Sequence, residues 1–388
     1  MDPLLKWRSH FPSLEKNLYM ISHSLGAMPA ATAERLAEYA SAWESRSIRA
    51  WEEGWFMMPL EVGDLIGRII GAGPGQVITQ PNVSIATWIA LSCLDWPDGR
   101  NRLVTEAMNF PTNLYIFREM ERLGARLVKV PSPDGIRIPV EDMLAAIDEQ
   151  TRLVAVSHVL FRSSYVQDLA AIVERAHSAG ALVLADLYQS AGSVPVNVAR
   201  LRLDFATGGS VKWLCGGPGV GYLYVRPDLA TQLRPRLTGW MAHRNPFAFE
   251  DDPIEYAEGM VRFAHGTPAI PALCAARSGF EIIAEVGVER IREKSLRQTS
   301  RLMSLAGDAG IRLRMPHNPA ERGGVVTLDV PQGQEVTNEL LRKDVLVDYR
   351  PGAGIRVAPH FYTTDAEVDE TIRQVVRVLD GVMARGGR

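Results

Sequence analysis

Residues 208–225 read GGSVKWLCGGPGVGYLYV and set one lysine, Lys212, between a Ser-Val pair and a run of glycines. An ordinary surface lysine needs no such setting. Upstream, the apolar run ALVLAD at 181–186 ends on Asp186. Similar runs are LVTEA at 103–107, ARLVKV at 125–130 and RLVAVSHV at 152–159. They alternate with helical patterns near 31–50, 60–71, 112–123, 139–148 and 168–179. Short apolar runs separated by helices predict a mostly parallel sheet covered on both faces. LDFATGG at 203–209 and GYLYV at 221–225 read as further strands of this α/β domain.

The pattern changes after about residue 240. A loop rich in Pro, Phe and acidic residues covers 244–258, and long helices follow near 270–285 and 287–306. Then come GVVTLDV at 324–330, a helix near 333–342, a strand at 344–349, GIRVAPH at 354–360 and a closing helix from about 366. This order predicts a smaller α+β domain over 241–388, behind a large α/β domain over 31–240. Residues 1–30 are expected to pack on the small domain or on a partner subunit.

With 388 residues the chain is too long for one core of usual size, which agrees with two domains. Lys and Arg number 42 against 45 Asp and Glu, so the concentrated basic face that nucleic acid requires is not expected. The basic cluster at 289–301 reads as a solvated helix face. Cys93, Cys215 and Cys274 form no close pair, which fits a reducing compartment and no metal site. The N-terminus lacks an apolar h-region, and no run of eighteen apolar residues exists. The expectation is therefore a cytoplasmic protein without a signal peptide or membrane span.

The end of a strand in an open α/β sheet is where ligands bind, so Asp186 is a candidate anion at that edge. Its alternative role is to cap the following turn. Lys212 lies after the next apolar run. A lysine amine of lowered pKa is a nucleophile toward an aldehyde. A carboxylate beside a pyridine nitrogen keeps that nitrogen protonated. Pyridoxal phosphate (PLP) needs both devices, and neighbouring strands can supply them at opposite ends of one ring.

The phosphate also needs a seat. Ser84, in PNVS at 81–84, precedes a helix expected at 84–93 and can cap it or donate to phosphate beside free backbone N–H groups. Ser210 can assist from the lysine side. Glycines 216, 217, 219 and 221 permit close approach and unusual dihedrals, but their spacing is not that of a dinucleotide loop. A nicotinamide dehydrogenase is disfavoured for the same reason. Phe110, in NFPTN, can stack on the ring or pack in the core. Arg356, between apolar residues, calls for a partner: a substrate carboxylate or a structural salt bridge. His243 is a pocket acid or base, or a loop histidine held by backbone, and Trp240 beside it can line the same pocket.

These residues resemble a known family. DLYQSAG at 186–192 followed by SVKWLCGGPG at 210–219 is similar to the class V aminotransferase-fold PLP enzymes, and the nearest branch resembles kynureninase. SHSLGAMP at 22–29, NFPTN at 109–113, LTGWMAH at 237–243, FAHGTPAI at 263–270 and GIRVAP at 354–359 each resemble elements of that branch, so the likeness spans roughly 20–380.

The resemblance implies the PLP fold type I of aspartate aminotransferase, a homodimer with sites at the subunit interface, and an amino-acid substrate. It implies that Lys212 bonds the cofactor and Asp186 pairs with the ring nitrogen, with Phe110 on the ring. Val83, Ser84, Gln189, Ser210, Trp240 and Thr267 would complete the cofactor site. Arg356, Ser24 and His243 would meet the substrate.

Departures from the branch are informative. Val211 stands where the family has Tyr, Gln189 where it has His, and Asn113 where it has Asp. Met241 replaces a Trp, and Thr267 replaces the Asn that recognises the aryl ketone side of kynurenine. The expectation is hydrolytic Cβ–Cγ cleavage or related β-carbon chemistry on a substrate other than kynurenine. Aminotransfer, β-elimination at a C–S bond, epimerisation and a non-catalytic binding role are the alternatives.

Overall fold

The computed structural model of the protein describes residues 2–249 and 253–386. The apolar runs form one seven-stranded sheet of β1 (Val77–Gln80), β2 (Arg102–Glu106), β3 (Arg126–Val130), β4 (Thr151–Ser157), β5 (Leu182–Asp186), β6 (Phe205–Gly209) and β7 (Gly221–Val225). The spatial order is β1-β7-β6-β5-β4-β2-β3. From β3 to β6 the neighbours are parallel. β7 is antiparallel to β6, and β1 to β7. Sequence reading placed no strand at β1, a four-residue run in which only Val77 and Ile78 are apolar.

Strand alternation explains the layers. Along β5, Val183 and Ala185 enter one core with Val104, Val154 and Ile66, while Leu184 enters the other with Leu103, Leu153 and Phe117. Each of these Val, Leu, Ile and Phe side chains contributes about 1.5–3 kcal/mol when fully buried. Helices cover both faces. The helix expected over 31–50 stops at Arg46, and a 3-10 turn (Ser47–Ala50) and a π turn (Trp51–Trp55) continue the chain.

The later segment builds a four-stranded antiparallel sheet of β8 (Arg312–Leu313), β9 (Val326–Asp329), β10 (Asp348–Arg350) and β11 (Gly354–Val357), in the order β10-β11-β9-β8. The single strand expected at 344–349 is divided. Val345–Leu346 pairs in parallel with Leu18–Tyr19, and Asp348 begins β10. Leu302, Leu328, Val357 and Ile372 share a core there.

Two segments join the large core from outside the 31–240 range. Phe280 and Ile283, on the helix Ile270–Val286, are buried with the large sheet. Leu4, Trp7 and Phe11 join the same core, where the Phe11 ring lies 5.7 Å from Phe361 and 4.9 Å from Tyr362. The parallel strands place Glu106, Ser157, Asp186 and Gly209 at one edge of the sheet, and the site is built on that edge.

Candidate active site

Lys212 follows β6 in a loop closed by backbone bonds. Ser210 N donates to Val220 O (2.9 Å), Gly216 N to Ser210 O (2.9 Å) and Gly26 N to Val211 O (2.8 Å). A Cβ on Gly26 would lie 2.2 Å from Lys212 O, so the 22–29 segment seats against the lysine only because residue 26 is glycine. Gly217 and Gly219 have φ of +66° and +105°, the left-handed region that glycine enters without steric cost. The Ser210 hydroxyl is buried and faces the carbonyls of Val220 (3.0 Å) and Gly217. It ties this loop and does not line the lysine cavity.

That cavity, of about 180 Å³, is lined by Lys212, Asp186, Gln189, Phe110, Phe161 and Val83, among others. Lys212 Nζ lies 4.4 Å from the Tyr188 ring centroid and 5.6 Å from that of Phe110, where ring faces attract its cation. Among the described residues Nζ has no hydrogen bond or ion pair. Enclosure brings its pKa down to about 8, although the Asp186 carboxylate opposes this; Arg356 pushes the same way as burial.

Asp186 is buried, which raises its pKa. Oδ1 accepts from Tyr188 N (2.8 Å) and Oδ2 from Asn113 Nδ2 (2.9 Å). It therefore caps its turn and also lines the cavity.

At the other end, the helix Val83–Ser92 begins beside the cavity. Its N-cap is Asn82, whose side chain accepts from Ile85 N (3.0 Å). This corrects the expectation that Ser84 caps the helix. The Ser84 hydroxyl and the N–H groups of Val83 and Ser84 have no partner among the described residues. A Cβ on Gly221 would stand 2.7 Å from Val83 N, so a glycine keeps this helix start open. Free N–H groups at a helix N-terminus suit phosphate, and an enclosed amine opposite a buried carboxylate suits the aldehyde and ring of PLP. The residues fit the cofactor.

Gln189 bridges the site to the N-terminal segment. Its Nε2 donates to His23 O (3.2 Å), and its Oε1 accepts from Trp213 Nε1 (3.0 Å). His23 Nε2 lies 3.0 Å from Asp348 Oδ1. Burial and the nearby Arg356 charge bring the His23 pKa down to about 4, so the ring is neutral and donates to the carboxylate.

Arg356 has the structural partner that was one of its two alternatives. Nε and Nη2 fork onto Asp348 (2.8 and 2.5 Å), and Nη1 donates to Phe161 O (2.7 Å). Burial would raise the Asp348 carboxyl, but His23 and Arg356 hold it well below the usual carboxylate range. A guanidinium has five N–H groups, so two on Arg356 are not used by these three bonds. Ser24, next to His23, has a hydroxyl without a partner among the described residues.

Trp240, His243 and Thr267 do not line this cavity. Trp240 is exposed and packs on Phe247 at 5.7 Å. His243 is buried, and its Nδ1 accepts from Asn245 N (3.0 Å), which is the backbone-held reading of that residue. Thr267 is exposed, between Gly266 and Pro268; these two border a recess of about 40 Å³ with Gln80, Pro81 and Met241.

Several site residues escaped sequence reading. Asp348 was a hairpin signal: PGAG at 351–354 joins two strands whose register pairs Asp348 with Arg356. Tyr188 was signalled by Gly209, where a Cβ would stand 2.6 Å from the Tyr188 ring. Asn113 was noted only as a departure and here holds Asp186. No local signal marks Phe161.

The aminotransferase class-V family model matches residues 65–374. The kynureninase of Pseudomonas fluorescens is 32% identical over 98% of this chain and 93% of its own. Among solved structures, the apo cysteine desulfurase of Thermococcus onnurineus NA1 has a TM-score of 0.85 at 22% identity, covering 97% of this chain and 98% of its own. A cystine C-S lyase in complex with cysteine persulfide has 0.85 at 22%, covering 94% and 99%. At such identity these two structures speak for the fold alone, the PLP fold type I. The chain belongs to the class V aminotransferase family of PLP enzymes, in its kynureninase-like branch.

Proposed function

We propose that this protein is a PLP-dependent homodimeric enzyme that cleaves an amino acid hydrolytically between Cβ and Cγ, or by related β-carbon chemistry. Its substrate is one other than kynurenine. The observation that carries this reading is the cavity in which the buried Lys212 amine lies with Asp186, in a chain similar to kynureninase over nearly its whole length. The departures at Met241 and Thr267 support a different substrate side chain.

When bound, PLP supplies an aldehyde for the lysine and a ring that accepts electrons from the substrate. Lys212, with its lowered pKa, would be neutral often enough near neutral pH to bond the cofactor through that aldehyde. With its amine free, Lys212 would be placed to act as the base that takes the proton from the substrate Cα. Asp186 keeps a negative charge at the ring nitrogen, and Phe110 covers the ring. Val83 and Ser84 offer N–H groups and a hydroxyl to the phosphate. Arg356 gives its two remaining N–H groups to the α-carboxylate. Gln189 holds the Lys212 loop against the 22–29 segment.

Incubating the PLP-loaded protein with kynurenine and a panel of amino acids tests the reading. Alanine release from a compound other than kynurenine is expected. Pyruvate with ammonia would replace the reading with β-elimination, and stable conversion of the cofactor to its amine form would replace it with aminotransfer.

A further inference from the structure

A second carboxyl stands at the same sheet edge. Glu106 ends β2 and has 0% exposure. No cation reaches it among the described residues. Its Oε1 accepts from Ser157 N (3.0 Å), and its Oε2 lies 3.5 Å from the Thr105 hydroxyl. Burial pushes its pKa up to about 8, so at neutral pH the group is mostly the uncharged acid.

The network continues from these two neighbours. The Ser157 hydroxyl donates to Asn109 Oδ1 (3.1 Å), and Asn109 Nδ2 donates to the Thr105 hydroxyl (3.1 Å). Asn109 Oδ1 also accepts from Phe110 N (2.7 Å) and from Asn113 Nδ2 (2.9 Å). Asn113 Nδ2 donates in addition to Asp186 Oδ2. Gln167 closes the far side with a bond from Nε2 to Ser157 O (2.7 Å). One buried network thus runs from Glu106 to both ring contacts, the carboxylate of Asp186 and the backbone of Phe110. Both Nδ2 hydrogens of Asn113 are committed, so its amide cannot flip without losing Asp186. A buried network of this kind rigidifies only while its members are satisfied.

We propose that Glu106 is a positioning residue for the ring end of the cofactor pocket: through Ser157, Thr105, Asn109 and Asn113 it holds Asp186 against the ring nitrogen and Phe110 over the ring. The inference rests on the PLP reading above. An uncharged Glu106 also leaves Asp186 as the anion that the ring nitrogen meets, because two buried carboxylates so connected would disfavour each other's charge.

The test uses PLP labelled with 15N at the pyridine nitrogen, bound to wild-type protein and to Glu106→Gln, Glu106→Leu and Glu106→Asp. The readouts are the 15N chemical shift, the PLP dissociation constant and mass-spectrometric detection of the cofactor on Lys212. Gln copies the shape of the neutral acid and should keep the shift of a protonated nitrogen, with affinity within about threefold. Leu removes both polar contacts. It should move the shift toward the unprotonated range and weaken binding about tenfold, the scale of one or two net hydrogen bonds. Asp, one methylene shorter, loses the reach to Ser157 and should move the shift the same way, and it decides the matter if the Leu variant does not fold. Wild-type shifts in every folded Leu or Asp variant would overturn the role of Glu106 alone. Wild-type protein that never carries PLP on Lys212 would overturn both readings.

Discussion

The edge of the sheet around Lys212 and the stretches 237–243 and 263–270 were singled out as parts of one site, yet they differ physically. At the sheet edge every element converges within one chain: Asp186 and Lys212 share a cavity, and Asn113, Gln189 and Asp348 brace its walls. In the other two stretches Trp240 and Thr267 are on the surface, and Trp240 packs on Phe247, which in turn packs on Phe56. The residues that line the Lys212 cavity all lie in one chain. Trp240 and Thr267, expected to complete the cofactor site, face outward in the single chain, as they would if a second copy of the chain supplied the cavity they serve.

The largest effect expected from this contrast is at Lys212. Lys212→Ala should abolish covalent attachment of PLP and lower turnover about a thousandfold or more, the scale of losing the nucleophile and base together. Borohydride reduction followed by peptide mass analysis reads the attachment. The fold should survive, because Nζ makes no hydrogen bond or ion pair among the described residues.

The bracing of the wall comes next. Asp348→Ala leaves Arg356 buried without its carboxylate, and breaking such a pair costs about 3–5 kcal/mol. Urea unfolding should show that loss, and the substrate KM should rise as Arg356 loses its fixed orientation. A wild-type unfolding midpoint would show that the pair of Arg356 with Asp348 does not stabilise the fold.

The shared-site reading of the surface segment gives a smaller, more specific effect. Trp240→Ala should lower activity while leaving PLP attachment unchanged. Mixed and re-associated with Lys212→Ala, it should restore about a quarter of wild-type activity, because half of randomly paired dimers would carry one intact site. No recovery on mixing would mean that Trp240 acts within its own subunit or not at all.

The smallest effect is in pH. The folded-state pKa of Lys212 lies below that of a free lysine, so the reactive neutral amine gains at a given pH. The rate of PLP attachment should rise with pH and level off above about 8. It should fall about tenfold per unit below that point, as the neutral fraction does. A rate still climbing past pH 10 would mean that the cavity does not shift the amine.

Much of this arrangement was legible in the sequence, because strand ends carry their own signal. ALVLAD ends β5 on Asp186, and of the four glycines after Lys212, Gly217 and Gly219 adopt the unusual dihedrals that glycine permits. What stayed hidden depends on contacts between distant segments. Asn113 meets Asp186 across 73 positions, and Gln189 meets the His23 carbonyl across 166. The N-cap was misplaced by two residues, because Asn82 and Ser84 are both good caps and backbone geometry selects between them. β1 was missed because four residues with two apolar side chains carry little periodicity.

The central claim is that the cavity holding Lys212 and Asp186 is a PLP site, and the 300–500 nm absorption spectrum of the protein titrated with PLP tests it most directly. The account predicts a saturable band near 420 nm, roughly where lysine-bound PLP absorbs, present in wild type and absent in Lys212→Ala. The same band in both proteins, or none in either, would contradict it.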